Sequence, residues 1–285
     1  MKKLVWAFLL SAASFATPPG WFLSPADDAF MLFGLGSGSS LREAKQSALL
    51  DLASTISVSV DASSSLRRQR DDQKFKTSAQ QQVSLDVSDV EFLNVSLLHQ
   101  DFSDDVYYVQ MGIARDSFIS QVRKNLGQML DDVKNSGVQT CRYITPRQFA
   151  ISSNFYDKLQ KQVAIYQAFA KREFHDPRLS SLENILTRNS PKPKVNVKFT
   201  GKNQEVRNAI FKELAKFSML NTKIQKGYST WNISFQQGKE KSILGFSLKD
   251  CKGDIVYQDQ EVLDTENLPR IGFIFYKKIN SWINP

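Results

Sequence analysis

Hydrophobic and polar positions along the chain predict two small α+β modules joined by a helical segment. The apolar run Ala29–Phe33 is typical of a buried strand, and Gly34–Ser39 is typical of the turn that follows it. Ser40 and Glu43 form a capping box, which marks the start of a helix. The apolar face of this helix repeats every three or four residues, at Leu41, Ala44, Ala48, Leu49, Leu52 and Ile56.

From Ile56 to Val60 the period changes to two, which predicts a strand directly after the helix. The stretch from Ser63 to Gln82 is polar and charged, which indicates a long exposed hairpin tip or mobile loop. Alternation then predicts further strands, with a hairpin turn at Asp104-Asp105. These strands carry Val83, Leu85 and Val87, then Phe92, Val95 and Leu97, and finally Tyr107, Val109, Met111 and Ile113.

A second helix is predicted to begin at the capping residue Asp116 and to end before Gly137. Helices and antiparallel strands in this order predict an α+β domain over 17–137, with the helices on one face of the sheet. The inner face of the second helix carries Ile119, Val122, Leu126, Met129, Leu130 and Val133.

The segment 138–190 reads as a helical connector, because Phe149–Asn189 has helical periodicity with a break at Asp176-Pro177. Ser190–Lys194 contains two prolines and marks a boundary. A second α+β domain, also with an antiparallel sheet covered by helices, is predicted over 191–285. One of its helices carries Val206, Ile210, Leu214 and Phe217, and the last helix has Pro269 in its first turn and carries Ile271, Phe275, Ile279 and Trp282. Its strands carry Val195, Val197 and Phe199, then Trp231, Ile233 and Phe235, then Leu244, Phe246 and Leu248, and then Ile255, Val256 and Tyr257.

The N-terminus has the three regions of a secretory signal peptide: Lys2-Lys3, an apolar run, and small residues ending at Ala16. We predict cleavage after Ala16 and a periplasmic or secreted protein. No cysteine lies near this point, so lipidation there is not expected. The alternative, an uncleaved membrane anchor, is disfavoured because the apolar run is too short to span a bilayer.

The formal net charge of +8 is unevenly distributed. Removing Met1–Ala16 leaves 35 basic and 29 acidic residues. Residues 17–137 contain 11 Lys and Arg against 16 Asp and Glu, whereas 138–285 contain 24 against 13. A basic C-terminal half on an exported protein predicts contact with an envelope protein or an anionic envelope component, and not with nucleic acid. The alternative is an ordinary solvated surface, since the basic residues are scattered.

Candidate chemistry is sparse. Gly34, Gly36 and Gly38 precede a helix, but the third glycine of a dinucleotide fingerprint and the Gly-Lys of a P-loop are missing. Two histidines, His99 and His175, are the only neutral-pH bases, and no Gly-x-Ser-x-Gly elbow is present. The acidic pairs Asp71-Asp72, Asp104-Asp105 and Asp131-Asp132 are typical of turns and surfaces. We therefore predict no enzymatic activity, no catalytic or metal-binding residues and no cofactor.

Cys141 and Cys251 form an even pair in a chain with an export signal, which predicts a disulfide. Such a bond would close a loop of about 110 residues and would stabilise the fold by about 4 to 5 kcal/mol in the chain-entropy model. The alternative is two independent thiols.

Several segments together resemble the LPP-twenty lipoprotein family, a group of bacterial envelope proteins that includes flagellar outer-membrane factors. The resemblance covers Trp21 to Asn125 and implies an antiparallel α+β module without a known catalytic site. The family's lipobox cysteine is missing here, so outer-membrane anchoring is not implied. The matching segments are Trp21–Pro25, Gly34–Gly36, Ser40–Lys45, Ala48-Leu49, Leu52-Ala53, Ile56–Val60, Tyr107–Val109 and Ala114-Arg115.

These observations favour a non-enzymatic, exported protein of the bacterial cell envelope, acting as a structural or interaction module. A first alternative is an assembly factor of a flagellum or another surface structure. A second, from a different class, is a secreted hydrolase that uses Ser with His99 or His175.

Overall fold

The computed structural model describes residues 17–25, 28–71, 90, 92–135 and 141–284, with the side chains of 64–71 and of residue 265 excepted. The predicted leader over 1–16 and the predicted strand with Val83, Leu85 and Val87 lie outside the described residues. The predicted α+β class is confirmed. None of the helices in the described part of the chain is long and apolar enough to cross a membrane.

The chain divides into two compact units. The first comprises the described part of Met1–Arg123 together with Ala164–Arg172, and the second comprises Lys124–Val163 and Glu173–Pro285. Residues of the predicted connector over 138–190 therefore contribute to both units.

The first unit is built on a three-stranded antiparallel sheet of order β1-β3-β2. The helix α2 packs on this sheet, and Ala44, Ala48, Val109 and Met111 form a buried cluster between them. The elements are α1 (Gly20–Leu23), β1 (Met31–Gly38), α2 (Leu41–Asp71), β2 (Ser96–Ser103), β3 (Val106–Ala114) and α3 (Arg115–Asn135). The helix α3 begins in this unit and continues into the second.

The predicted turn at Gly34–Ser39 is wrong, because β1 continues through all three of its glycines to Gly38. A β-carbon on Gly34 would lie 2.2 Å from the Ala48 carbonyl oxygen, and one on Gly36 would lie 2.2 Å from that of Ala44. The glycines therefore serve close packing of helix backbone on strand backbone rather than a change of chain direction.

The predicted strand at Ile56–Val60 is also wrong, because α2 continues without a break to Asp71. Ile56 and Val60 are four residues apart, so they share one face of a helix as readily as one face of a strand. Both are fully buried, whereas Val58 is 65% exposed. The first part of the predicted loop over Ser63–Gln82 is consequently helical, and the part beyond Asp71 lies outside the described residues.

The predicted hairpin and the helix after it are present, but Asp116 is not the cap of that helix, because α3 already begins at Arg115 and Asp116 lies in its first turn. The hairpin turn at Asp104-Asp105 is confirmed: it joins β2 and β3, with φ values of 49° and 63°. This left-handed geometry at both central positions matches the twist of the flanking strands. The second predicted helix is confirmed as α3, and Val122, Leu126, Leu130 and Val133 of its predicted inner face are buried.

The second unit contains a five-stranded sheet of order β5-β4-β6-β7-β8. The pairs of β4 with β5 and with β6 are parallel, so this sheet is mixed, whereas the sequence predicted an antiparallel one. The elements are α4 (Pro146–Ala170), α5 (Pro177–Asn189), β4 (Lys194–Thr200), α6 (Gln204–Leu214), β5 (Met219–Asn221), β6 (Ser229–Gln236), β7 (Lys241–Lys249), β8 (Ile255–Asp264), and α7 (Ile271–Ile283). The helix α4 contributes to both units.

The core of the second unit lies between one face of this sheet and the helices α6 and α7. Trp231 is fully buried there and makes edge contacts with Phe275 and Trp282. Pro269, predicted in the first turn of the last helix, lies instead in a separate 3-10 helix at Thr265–Arg270. Pro269 has no backbone N–H to donate a hydrogen bond. The short 3-10 helix before α7 accommodates this missing bond.

Candidate anion-binding site

The two cysteines of the chain are joined in a disulfide within the second unit. The Cα atoms of Cys141 and Cys251 lie 6.0 Å apart, and 110 residues separate them in sequence. Cys141 is buried in a small cluster with Ile144 and Ile185. The bond therefore ties the segment before α4 to the turn between β7 and β8.

The turn that carries Cys251 is held by one carboxylate. Asp250 accepts hydrogen bonds from the backbone N–H groups of Lys252, Gly253 and Asp254, at 2.9, 2.9 and 3.0 Å. These hydrogen bonds occupy Asp250, the residue before Cys251. They also fix the turn between β7 and β8 that carries Cys251.

A buried amide fixes the other partner of the disulfide to the end of α5. Asn189 is 1% exposed, and its side-chain oxygen accepts a hydrogen bond from the Ile144 N–H at 3.2 Å. Its nitrogen donates to the carbonyls of Ile185 at 2.8 Å and of Arg142 at 3.5 Å. The backbone around Arg142 is therefore held on one side by the disulfide and on the other by Asn189.

A hollow of about 650 Å³ opens between this segment and α5. On the helix its polar lining comes from Ser180, Ser181, Asn184 and Arg188, whose spacing of three to four residues places them along one face. Arg142 reaches the hollow from the segment fixed by the disulfide and Asn189. The full lining is Cys141, Arg142, Pro177, Ser180, Ser181, Asn184, Ile185 and Arg188.

The charge in the hollow is positive. Two of its lining residues are arginines, and none of its lining residues in the described part of the chain carries a carboxylate. The acids of α5 and its cap are engaged elsewhere: Asp176 pairs with Arg178 at 2.7 Å, and Glu183 interacts with Tyr156. Residues 136–140, which precede the hollow in sequence, contain no acid.

Tyr143, which follows Arg142 in sequence, has both arginines of the hollow among the charges that act on it. A hydrogen bond with the Tyr228 side chain lowers the pKa of Tyr143, and the charges of Arg142, Lys194 and Arg188 lower it further, while desolvation raises it. The two tyrosine rings lie 4.2 Å apart between centroids. Cations that stabilise a phenolate also stabilise any other anion at this position.

The start of α5 is fixed independently of the hollow. Asp176 caps the helix by accepting the Arg178 N–H at 2.9 Å, and Pro177 occupies the first helical position. Arg178 also pairs with Asp131. Charge-assisted hydrogen bonds from Arg178 lower the pKa of Asp176.

The structure does not bring the predicted bases into a catalytic arrangement. His99 lies on the edge strand β2, exposed and stacked on Trp21 with ring centroids 5.3 Å apart. His175 is exposed and pairs with Glu173 at 3.3 Å. No cluster of three or more metal-ligating side chains occurs among the described residues.

Two of the three acidic pairs lie within the described residues. Asp104 and Asp105 form the β2–β3 turn, and Asp131 on α3 binds Arg178. Asp72 and the side chain of Asp71 lie outside the described residues.

Sequence reasoning found the cysteine pair and the basic half but did not identify the hollow. The spacing of Ser181, Asn184 and Arg188 was available as a signal for a polar helix face. The role of Asn189 could not be predicted from the sequence, because an asparagine at the end of a helix is usually interpreted as a cap or a turn residue.

Comparisons with known proteins support the fold. No family model and no curated protein matches the chain. It is similar to the crystal structure of the secreted protein HP1454 from Helicobacter pylori, with a TM-score of 0.60 and 22% identity, over 89% of this chain and 95% of that chain. TolB from Acinetobacter baumannii aligns over 34% of this chain and 29% of its own with 12% identity and a TM-score of 0.29, which carries no structural argument.

Proposed function

We propose that the chain is a non-enzymatic, exported protein of the bacterial cell envelope that acts as an interaction module. The observation that carries the proposal is the disulfide between Cys141 and Cys251, because such bonds persist in oxidising compartments outside the cytoplasm. The sequence of Met1–Ala16 supports export as well. The shared fold with a protein described as secreted is consistent with it.

In this proposal the first unit belongs to the LPP-twenty lipoprotein family. Its support is the sequence resemblance over Trp21 to Asn125, together with the α+β architecture of the unit. The second unit supplies the contact with an anionic envelope component. The excess of Lys and Arg after residue 138 supports this assignment, and so does the positive hollow beside the disulfide.

Cell fractionation with thiol trapping tests the export proposal. Intact cells are fractionated, and each fraction is denatured in the presence of a maleimide reagent, so that buried thiols also react, and is then analysed by mass. We expect the chain in the envelope or periplasmic fraction, without residues 1–16, and with no labelled cysteine before reduction. A matched Cys251→Ser variant should show one labelled thiol at Cys141. Cytoplasmic protein with two labelled thiols would overturn the proposal.

Retention in the envelope fraction provides a second test. Exposed charge contacts are screened by salt, so washing with increasing salt should release the protein progressively. Release into the culture medium that does not depend on salt would contradict binding to an anionic component.

The non-enzymatic part of the proposal is tested with a broad esterase and peptidase screen of the purified protein. We expect no turnover above the buffer control. Turnover that disappears in His99→Gln or His175→Gln variants would instead establish a hydrolase.

A further inference from the structure

The donors around the hollow match one kind of anionic group. Two guanidinium groups, from Arg142 and Arg188, present planar sets of N–H donors, and Ser180, Ser181 and Asn184 add hydroxyl and amide donors. A carboxylate has two oxygens, whereas a phosphate group has more acceptor oxygens and carries more charge as a monoester at neutral pH. Arginine forks recognise phosphate through paired hydrogen bonds.

The size of the hollow indicates what carries the phosphate. The hollow is an open depression of about 650 Å³, which is more space than a single inorganic ion fills, so a bound phosphate can belong to a larger molecule. The apolar part of the lining, Pro177 and Ile185 with the disulfide, suits the carbon skeleton beside the phosphate.

We propose that this hollow binds a phosphate group carried by a larger envelope molecule, with Arg142 and Arg188 as the binding residues. Given the proposed function, the ligand would be met outside the cytoplasm. The contact shared by the phosphomonoester of a soluble molecule and the phosphodiester of a lipid headgroup is a pair of free phosphate oxygens that accept hydrogen bonds from a guanidinium group.

The disulfide is one of the contacts that position Arg142 beside the hollow. Arg142 directly follows Cys141, so the disulfide fixes the backbone that carries this guanidinium beside α5. Reduction frees the Cys141 end of the segment and leaves it held by the hydrogen bonds of Asn189 and by the contact of Tyr143 with Tyr228. Phosphate binding is therefore coupled to the formation of the disulfide.

The first experiment measures binding of glycerol 3-phosphate to the purified, air-oxidised protein by titration calorimetry. Arg142→Gln and Arg188→Gln should each weaken binding about tenfold, the effect of losing one charge-assisted contact. Arg207→Gln is the matched control, because Arg207 belongs to the same unit and lies over the Phe211 ring as Arg142 lies over Tyr143. Equal weakening in all three variants would overturn the site and leave only a general charge effect.

Two further arms identify the ligand group and its source. Glycerate, which replaces the phosphate by a carboxylate, should bind at least about tenfold more weakly; equal affinity would overturn the assignment to phosphate. Vesicles of phosphatidylglycerol are compared with vesicles of phosphatidylcholine. Binding to phosphatidylglycerol that Arg142→Gln and Arg188→Gln reduce and Arg207→Gln does not would place the phosphate on a lipid. If glycerol 3-phosphate binds but none of the three variants changes vesicle binding, the phosphate belongs to a soluble molecule.

Lysine variants and reduction complete the test. Arg142→Lys keeps the charge but loses the fork, so it should bind more tightly than Arg142→Gln and more weakly than the native chain. Reduced protein whose circular dichroism is unchanged should bind at least about tenfold more weakly than oxidised protein. Unchanged affinity after reduction would overturn the coupling. These measurements use purified protein, so a failure of the export proposal would appear only in the fractionation.

Discussion

Gly36 lies directly against the backbone of Ala48. A β-carbon at this position would come within 2.2 Å of the Ala48 nitrogen and of the Ala44 carbonyl oxygen. On the same strand face the neighbouring position of β3 is Val109, which is fully buried. In the first unit the backbone of α2 therefore packs directly on the glycines of β1, which have no side chains.

Gly36→Ala should destabilise the first unit by at least about 2 kcal/mol, because the added methyl group meets backbone atoms that cannot move independently. Urea unfolding followed by circular dichroism measures the change in the free energy of unfolding. The matched control is Gly127→Ala on α3, where no atom lies within 4 Å of the new β-carbon. That variant should stabilise its helix by about 0.5 to 1 kcal/mol. Similar losses in both variants would contradict the backbone contact.

Removal of the disulfide should destabilise the second unit. Because the bond closes a loop spanning 110 residues, the chain-entropy model gives a loss of about 4 to 5 kcal/mol. The measurement compares urea unfolding of the oxidised chain with that of a double Cys141→Ser, Cys251→Ser variant. An unchanged unfolding midpoint would show that the bond does not constrain the unfolded chain as the model requires.

Asn189→Ala should cost about 1 to 3 kcal/mol, since it leaves the buried N–H of Ile144 without its acceptor. Asn184→Ala, an exposed amide on the same helix, is the control and should change stability by no more than about 0.5 kcal/mol. Thermal unfolding of both variants distinguishes a buried tether from a general loss of polar side chains. Equal effects would argue against the tether.

Asp176→Asn tests the charge at the start of α5. The pKa of Asp176 is lowered from its ordinary value of 3.8 by hydrogen bonds from the Arg178 side chain. A lowered pKa in the folded state adds stability above 3.8, and this stability is lost as the pH falls through the folded-state pKa. Asparagine can still cap the helix, so the variant removes mainly the charge.

At neutral pH we expect Asp176→Asn to be about 1 to 2 kcal/mol less stable than the native chain, because the charge-assisted bonds are lost. The difference should narrow as the pH is lowered below 3.8, where the native carboxylate also becomes neutral. Unfolding curves at several pH values measure it. A difference that stays constant through this range would assign the effect to geometry rather than charge.

Local patterns in the sequence determined much of the secondary structure. The turn at Asp104-Asp105, the helix α3 and the break at Asp176-Pro177 before α5 follow from residue types whose backbone preferences act over a few positions. These features depend on neighbours in sequence, and so they were predictable.

Two wrong predictions of secondary structure concern segments whose local sequence fits two kinds of structure equally well. Ile56 and Val60 satisfy both a strand period and a helical one, and only burial against the sheet selects the helix. Gly34 and Gly36 are compatible with a turn or with a strand under close contact, and only the packed helix distinguishes the two. Tertiary contacts decide such cases because the local energies are nearly equal.

The sequence by itself determined the class of the fold, the cysteine pair and the concentration of positive charge after residue 138. It did not determine that Arg142 and Arg188, 46 positions apart, line one hollow. Their meeting depends on the disulfide at Cys141 and on the buried amide of Asn189, which bring distant segments together. The sequence gives the number of charges but not the distances between them. The interaction energy of an anion with those charges depends on the distances, which are determined by the tertiary structure.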